Sequence, residues 1–270
     1  MRKICWSLQA HFCALYFPAA FGYDGVVRLT GRNHRAANGP LCYLAGLLLA
    51  LVPPAFATAQ DPAFAPFEKG ERLIYRLFWP SGLPLGEAVF DASPRGSELH
   101  LRVALEASLP QYRFNATFSS VATRDGLCSL QFHQKVEEGS QISEESMEFD
   151  QAARRVRLIR GPHTAADPAP ECARDPLTFL YYARSRMAAG LPVEAESMSY
   201  GKNFAVRLAT GGNATIELGG TSRRGDKLAI HFPARGQERT VEIWVASDAA
   251  RTPLRFIVPT TLAVFRGELE

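Results

Sequence analysis

Leu99, Leu101, Val103 and Leu105 alternate with His100, Arg102, Ala104 and Glu106. A two-residue period with one apolar face describes a strand lying half-buried in a sheet. It does not suit a helix, whose side chains return to one face only every 3 to 4 residues or so. The pattern recurs in Phe114, Ala116 and Phe118, followed by a turn at Asp125-Gly126, and in Leu130, Phe132, Gln134 and Val136, which run to Glu138-Gly139. Leu73–Trp79, broken by Pro80-Ser81-Gly82, and Ala88–Phe90, Ile142–Phe149 and Val156–Ile159 complete a first set of strands. Pro162, Pro168 and Pro170 then read as an irregular surface connection.

One helix interrupts the series. Asp175-Pro176 supplies an N-cap and a first-turn proline. Leu177, Leu180, Tyr181, Arg184 and Ala188 follow at helical spacing, Phe179 and Tyr182 widen the apolar face, and Gly190 with Pro192 ends it. Strands resume at Val193–Tyr200, Phe204–Ala209, Ala214–Leu218, Leu228–Phe232, Thr240–Ala246, Leu254–Val258 and Leu262–Leu269. Gly201, Gly211-Gly212, Gly219-Gly220, Gly225-Asp226 and Gly236 mark the turns between them. The expected fold is mainly β: an antiparallel meander forming a curved sheet, partial barrel or barrel, with one helix (residues 175–189) packed on it. No flexible linker separates the two strand sets, so residues 58–270 are expected to form a single domain.

Residues 1–57 read differently. Arg28, Arg32 and Arg35 precede a wholly apolar run from Leu41 to Val52, and Pro53-Pro54 break it. Ala55-Phe56-Ala57, or Ala57-Thr58-Ala59, is an A-x-A cleavage site, so residues 28–57 have the three parts of a secretory signal peptide. The run falls short of the roughly 20 residues of a membrane span, and a buried core helix does not end in Pro-Pro and Ala-x-Ala. Cys42 opens the run instead of closing it, unlike a lipoprotein signal. Residues 1–27 are either an over-extended start or a long charged segment. The expected compartment is the periplasm.

Removing the leader changes what the charge says. The net charge is +3, but residues 1–57 hold Arg2, Lys3, Arg28, Arg32 and Arg35 against Asp24 alone. The remainder is close to neutral, which argues against a nucleic-acid partner and against a cationic face for anionic lipid. No stable membrane span is expected once the leader is gone. Of the five cysteines, Cys128 and Cys172 lie beyond the leader. In an oxidising compartment they are a candidate disulfide, adding roughly 3–4 kcal/mol if unstrained. Pairing also requires Cα atoms about 4.4–6.8 Å apart, so the paired and free forms both stand at this point.

Three stretches resemble a bacterial exported family catalogued as domain of unknown function 3108. Gly70-Glu71, Leu73, Tyr75, Trp79 and Gly86 match its opening strand pair; Asp175, Leu177, Thr178, Tyr181 and Arg184 match its helix; Trp244, Asp248, Arg251 and Pro253 match a late strand and turn. Glu138-Gly139 and Phe149-Asp150 fit between them. The resemblance covers residues 67–269. It implies an envelope protein of β-rich fold and carries no activity with it. The curved sheet with one helix also looks like the half-barrel of periplasmic lipoprotein carriers, which is an analogy of fold alone.

Residues beyond the leader contain no C-x-x-C, no paired-histidine spacing, no G-x-S-x-G elbow and no phosphate-binding glycine loop. No catalytic residue, metal ligand or cofactor is therefore assigned. His100 and His133 fall on the polar side of their strands, and Glu137, Glu138, Glu144, Glu145 and Glu148 read as the solvated face of a hairpin. Arg184 lies on the helix stripe and should face the sheet, where a buried guanidinium needs a partner. Glu71 or Asp175 would make it a clamp; a ligand carboxylate or phosphate would make it a binding residue. Tyr75, Trp79, Phe118, Tyr181 and Trp244, among many aromatics, join Arg184 as candidate ligand-lining or core residues. Three functions follow in order: a non-enzymatic envelope protein holding an apolar or lipid-like ligand, an envelope assembly factor acting through protein contacts, and a hydrolase of unrecognised site.

Overall fold

The computed structural model describes Phe67 and residues 69–109, 112–200, 207–234, 237–259 and 264–270. Residues 1–57, where a leader is expected, with Cys5, Cys13 and Cys42, lie outside the described residues, as does Phe204. The strands are β1 (Glu71–Phe78), β2 (Pro84–Arg95), β3 (Glu98–Leu109), β4 (Tyr112–Thr123), β5 (Ser129–Glu138), β6 (Gln141–Asp150), β7 (Arg155–Arg160) and β8 (His163–Pro168). The helix α1 (Pro176–Ala188) and a short 3-10 turn (Ala195–Ser197) come next. Then follow β9 (Arg207–Leu218), β10 (Thr221–Ala234), β11 (Gln237–Ala246), β12 (Pro253–Pro259) and β13 (Val264–Leu269).

All 13 strands form one antiparallel sheet in the order β8-β7-β6-β5-β4-β3-β2-β1-β13-β12-β11-β10-β9. Each strand neighbours the next in sequence except β8 and β9, which lie at opposite edges; the two runs are joined in mid-sheet by the pairing of β1 with β13. The edges are β8 and β9, so the meander curls without closing. The curl can be read from one side chain. Phe265 on β13 packs against the cluster of Phe114, Ala116 and Val136 on β4 and β5. In a flat sheet β13 and β4 would stand about 19 Å apart at about 4.8 Å per strand, beyond the reach of any side chain.

The alternation in the sequence becomes lateral rows on the inner face. Glu71, Ala92, Leu101, Ser120, Phe132 and Met147 pair side by side across β1 to β6. The next row is Leu73, Phe90, Val103, Phe118, Gln134 and Glu145. Helix α1 lies over the first row. Asp175 meets Ser120 on β4, and Arg184 meets Glu71 on β1. Nine residues of helix rise about 13.5 Å, and three strand spacings measure about 14 Å. The helix therefore crosses four strands with matched anchor points.

The single apolar stripe expected of α1 is not what the fold uses. Leu177, Thr178 and Phe179, and Tyr181 to Ser185, are all buried, whereas Ala188 is exposed. The curled sheet covers the helix from two sides. Leu177, Tyr181 and Tyr182 pack among Leu101, Phe132 and Met147, while Ala183, Leu180 and Met187 pack with Leu228, Ile243 and Val245. A helix buried on most of its circumference, Thr178, Arg184 and Ser185 included, is a core helix whose polar groups need partners inside.

Three local expectations need correction. The segment after Pro162 is strand β8, paired with β7; Pro168 ends an edge strand, where no neighbour needs its missing N–H. Val193–Tyr200 is no strand but holds the 3-10 turn, and its backbone bonds go to the residue preceding the helix cap, Arg174 N–H to Ser197 O and Ser199 N–H to Arg174 O, both 2.7 Å. Gly211-Gly212 and Gly225-Asp226 lie within β9 and β10 instead of turning the chain. Lys227 faces Gly211 and Asp226 faces Asn213, so Gly212 is the extra residue of a bulge. At Gly225 a Cβ would stand 2.8 Å from Val245 O, so glycine serves close strand approach there.

Gly86 makes the most demanding approach of all: a Cβ there would fall 1.9 Å from Glu106 O, in a backbone conformation at φ 156°. Gly82 also has a positive φ, 87°, but open space around it. Gly86→Ala is expected to cost more than about 3 kcal/mol and Gly82→Ala about 1 kcal/mol, compared by denaturant unfolding.

Candidate functional site

The inner face carries two polar centres that seat the helix, one polar set on β5 to β7, and an apolar floor. The first centre surrounds Asp175. Its carboxylate accepts from the N–H groups of Leu177 and Thr178 (2.9 and 3.0 Å) and from the hydroxyls of Ser120, Ser129 and Thr178 (2.6, 2.6 and 2.8 Å). Burial pushes its pKa up, outweighing these hydrogen bonds. The Cys128–Cys172 disulfide lies beside it, with Cα atoms 4.7 Å apart, and joins the β4–β5 turn to the segment leading into α1. Arg174 reinforces the joint through Leu127 O (2.9 Å) and Gly126 O (2.6 Å), and Gln151 bridges Ser129 O and Ala173 O. Sealed from solvent and saturated with donors, Asp175 holds structure and has no room for a substrate.

The second centre is Arg184, whose side chain is 1% exposed. Its Nη1 and Nη2 donate to the two oxygens of Glu71, each at 2.7 Å. Nε donates to Arg251 O at 3.0 Å, and Nη2 to Ala250 O at 3.1 Å. The guanidinium also lies 4.4 Å from the Phe67 ring centroid and 5.0 Å from that of Tyr181. Of the two carboxylates offered by the sequence, Glu71 is the partner, while Asp175 is engaged by hydroxyls. With both edges of its fork used, Arg184 acts as a clamp between α1, β1 and the β11–β12 turn.

The acidic hairpin corrects an expectation. Glu137, Glu144 and Glu148 face outward and pair with Lys135, His133 and Arg157. Glu138 and Glu145 instead face inward, at 6% residue exposure and 14% side-chain exposure. Glu145 accepts from Gln134 Nε2 (3.0 Å) and Tyr200 OH (2.9 Å), and Arg160 Nε stands 2.6 Å from its other oxygen. Burial, and then the Glu145 carboxylate, push the Tyr200 phenol well above its usual range. Beside this set β7 stops at Arg160 while β6 runs on to Gln141, leaving a recess of about 550 Å³ lined by Ile142, Ser143, Glu145, Ile159 and Arg160. The sequence signal was parity: counting by twos from Phe132 and Val136 puts Glu138 on the apolar side.

The apolar floor continues past α1. Tyr75 is buried there; its OH donates to Pro253 O (2.8 Å), and its ring meets Phe90 at 5.0 Å and Phe256 at 5.2 Å. Trp79 packs edge-on against Phe265 at 5.2 Å. Phe118 is half-buried and touches both the cluster under the helix and the one around Phe114. Tyr181 belongs to the helix seat, against Phe67 at 4.8 Å. Trp244 stands apart: it packs with Ile216, Leu218 and Leu254, with Lys227 over its ring at 5.1 Å. Thus Tyr75, Trp79 and Phe118 share the floor, Tyr181 and Arg184 seat the helix, and Trp244 joins neither. The sequence reading passed over Gln134, Arg160 and Tyr200, which meet Glu145 only through sheet register and the return of the chain after α1.

The histidines are engaged elsewhere. His100 bonds Glu98, His133 bonds Ser146, His231 bonds Thr240, and His163 is exposed on β8. Among the described residues no cluster of His, Cys, Asp and Glu is arranged to hold a metal, and no helix is long and apolar enough to cross a membrane.

Arg184→Ala leaves Glu71 buried without its partner and should cost about 3–5 kcal/mol in chemical unfolding. The buried tyrosines set the alkaline limit. Burial raises the phenols of Tyr75, Tyr181 and Tyr200 in the folded chain. Below about pH 10 both states keep these protons; above it the unfolded chain releases them and the folded chain does not. Stability should fall as pH rises past 10, by up to about 1.4 kcal/mol per pH unit for each tyrosine. Thermal melts between pH 9 and 11.5 check this, and Tyr200→Phe should reduce the slope.

No curated protein matches the chain. A solved structure described as a beta-barrel-like protein of domain of unknown function DUF1849, from Brucella abortus, matches with a TM-score of 0.52 at 11% identity. The match covers 74% of this chain and 94% of that one, and it establishes likeness of fold. A family model described as "Protein of unknown function (DUF3108)" matches residues 74–270. With nearly all of the described sheet inside that match, the chain belongs to the DUF3108 family.

Proposed function

We propose that this chain is a non-catalytic protein of the periplasm that holds an apolar or lipid-like ligand on the inner face of its curled sheet, beyond α1. One observation carries the reading. The row Leu73, Phe90, Val103 and Phe118 runs straight into Gln134 and Glu145 on the next two strands. An apolar floor thus meets a polar set within one strand spacing, as an amphipathic ligand requires. Leu105, Trp79 and Phe265 are half-buried and belong to clusters that hold no residue of α1, so the floor presents large apolar side chains beyond the helix. The signal-like leader supports the compartment.

Native mass spectrometry and organic extraction of the protein isolated from a periplasmic fraction test both parts. A stoichiometric apolar adduct is expected, and Phe118→Ser should lower its occupancy about tenfold, as about 1.4 kcal/mol of lost burial implies. A bare protein mass with an empty extract would overturn the ligand reading; recovery in the cytoplasm alone would overturn the location.

The open edges favour a second reading, an envelope assembly factor that pairs by strand addition. β8 exposes Thr164, Ala165 and Ala166 along one edge of the sheet. In that case cross-linking in cells would capture a partner, and Ala166→Pro would abolish capture while leaving any lipid adduct intact.

A further inference from the structure

Four large apolar residues stand exposed among those described: Leu83, Ile142, Leu191 and Val264. Leu191 follows the helix. The other three fall into place through topology. The chain reverses at one end of the sheet between β1 and β2, β5 and β6, and β12 and β13; Leu83 (54% exposed) lies in the first of these turns, and Ile142 (66%) and Val264 (47%) lie in the strand ends that follow the other two. The β4–β5 and β11–β12 turns, which hold the two ends of α1, lie at the opposite end. The exposed apolar side chains are therefore gathered on the rim away from the helix.

The rim is also well supported. Trp79 N–H donates to Leu83 O at 2.9 Å and Gly82 N–H to Trp79 O at 2.8 Å, which fixes the loop that presents Leu83. Gly139 N–H donates to Arg113 O at 3.0 Å, which ties the β5–β6 turn to β4. Phe265 follows Val264 directly and packs on Trp79, so the rim is continuous with the apolar floor. Tryptophan next to such a rim is a side chain suited to the boundary between water and lipid.

We infer that this rim is a membrane-docking surface, with Leu83, Ile142 and Val264 inserting into the interfacial region of a lipid bilayer. The distribution favours lipid over protein. The three side chains are about half to two-thirds exposed and stand apart at separate chain reversals, whereas a stable protein interface buries a continuous patch of about 800 Å² per partner. A fluid apolar phase accepts separated tips individually, whereas a protein partner must match them all with one fixed surface. The near-neutral charge outside the leader fits insertion through apolar contact rather than attraction to anionic headgroups. The inference uses the rim alone and stands whether or not the inner floor carries a ligand.

The test is flotation of the purified protein with vesicles of pure phosphatidylcholine, and with vesicles containing added phosphatidylglycerol. The rim variant is Leu83→Ser, Ile142→Ser, Val264→Ser; its sites are exposed, so thermal melting should be unchanged. Binding to both vesicle types is expected, insensitive to salt, and each substitution should weaken it about fivefold to tenfold. Fluorescence on binding should shift to the blue, a shift lost in Trp79→Phe and retained in Trp244→Phe. Three results would overturn the inference: no flotation; flotation confined to anionic vesicles and removed by salt; or a wild-type dimer that the rim variant dissociates, which would make the rim a protein interface. Because lipid extraction is scored separately, a rim variant that keeps its co-purified lipid but no longer floats separates docking from ligand holding.

Discussion

The fold rests on the tethering of one helix at both ends to a single row of a curled sheet. A meander of this length has no intrinsic reason to stop rolling at one curvature, and antiparallel pairing alone leaves it free to flatten or tighten. Asp175 attaches the start of α1 to β4 and β5, and Arg184, nine residues or about two and a half turns on, attaches it to β1 and the β11–β12 turn. The interval between them is set by covalent geometry, so the helix acts as a strut of fixed length spanning the trough. A buried ion pair such as Arg184–Glu71 adds little net stability relative to an apolar pair of equal volume, but it accepts few alternative positions. Its contribution is register: it selects where along the strands the helix sits.

The joint at the helix start concentrates unusual backbone. Leu127 and Cys172 adopt positive φ values of 52° and 49° without being glycine, next to the disulfide they flank or form. Such conformations persist when surrounding bonds over-determine them, and here Arg174, Gln151 and the hydroxyls of Ser120 and Ser129 do so. Arg251, with φ 48°, plays the corresponding part at the other end: its carbonyl receives Arg184 while its own guanidinium pairs with Asp226 at 2.5 Å. Both ends of the strut thus lodge in turns held in conformations that an unconstrained chain avoids.

What could be seen in the sequence divides along physical lines. Period-two alternation on β3, β4 and β5 and the Asp-Pro start with its Gly stop at α1 are local signals, and each marked a real element. Helical phase and the cost of an unpaired buried charge offered a clamp or a ligand contact for Arg184, and the structure pairs it with Glu71. Glycines misled where they serve close approach, as at Gly225, or a bulge, as at Gly212, because a bare glycine signals permissiveness and not its use. The polar set around Glu145 was half legible: strand parity placed Glu138 and Glu145 inward, yet the sum of charges suggested a solvated face. Tyr200 arrives from beyond the helix, and no local pattern predicts that meeting. The same holds for Trp244, whose aromatic character suggested the interior while alternation with the helix-facing Ile243 turned it away.

The pairing of β1 with β13 fixes the order in which the molecule can be finished. β1 finds β2 as soon as a hairpin can close, but its other edge waits for the last strand to be made. Until then the growing chain holds two separate half-sheets, each ending in bare backbone, with no seam to join them. The pairing that completes the trough joins Tyr75 to Leu269, nearly the whole length of the sheet apart in sequence, so it is a contact whose loop-closure cost is met last.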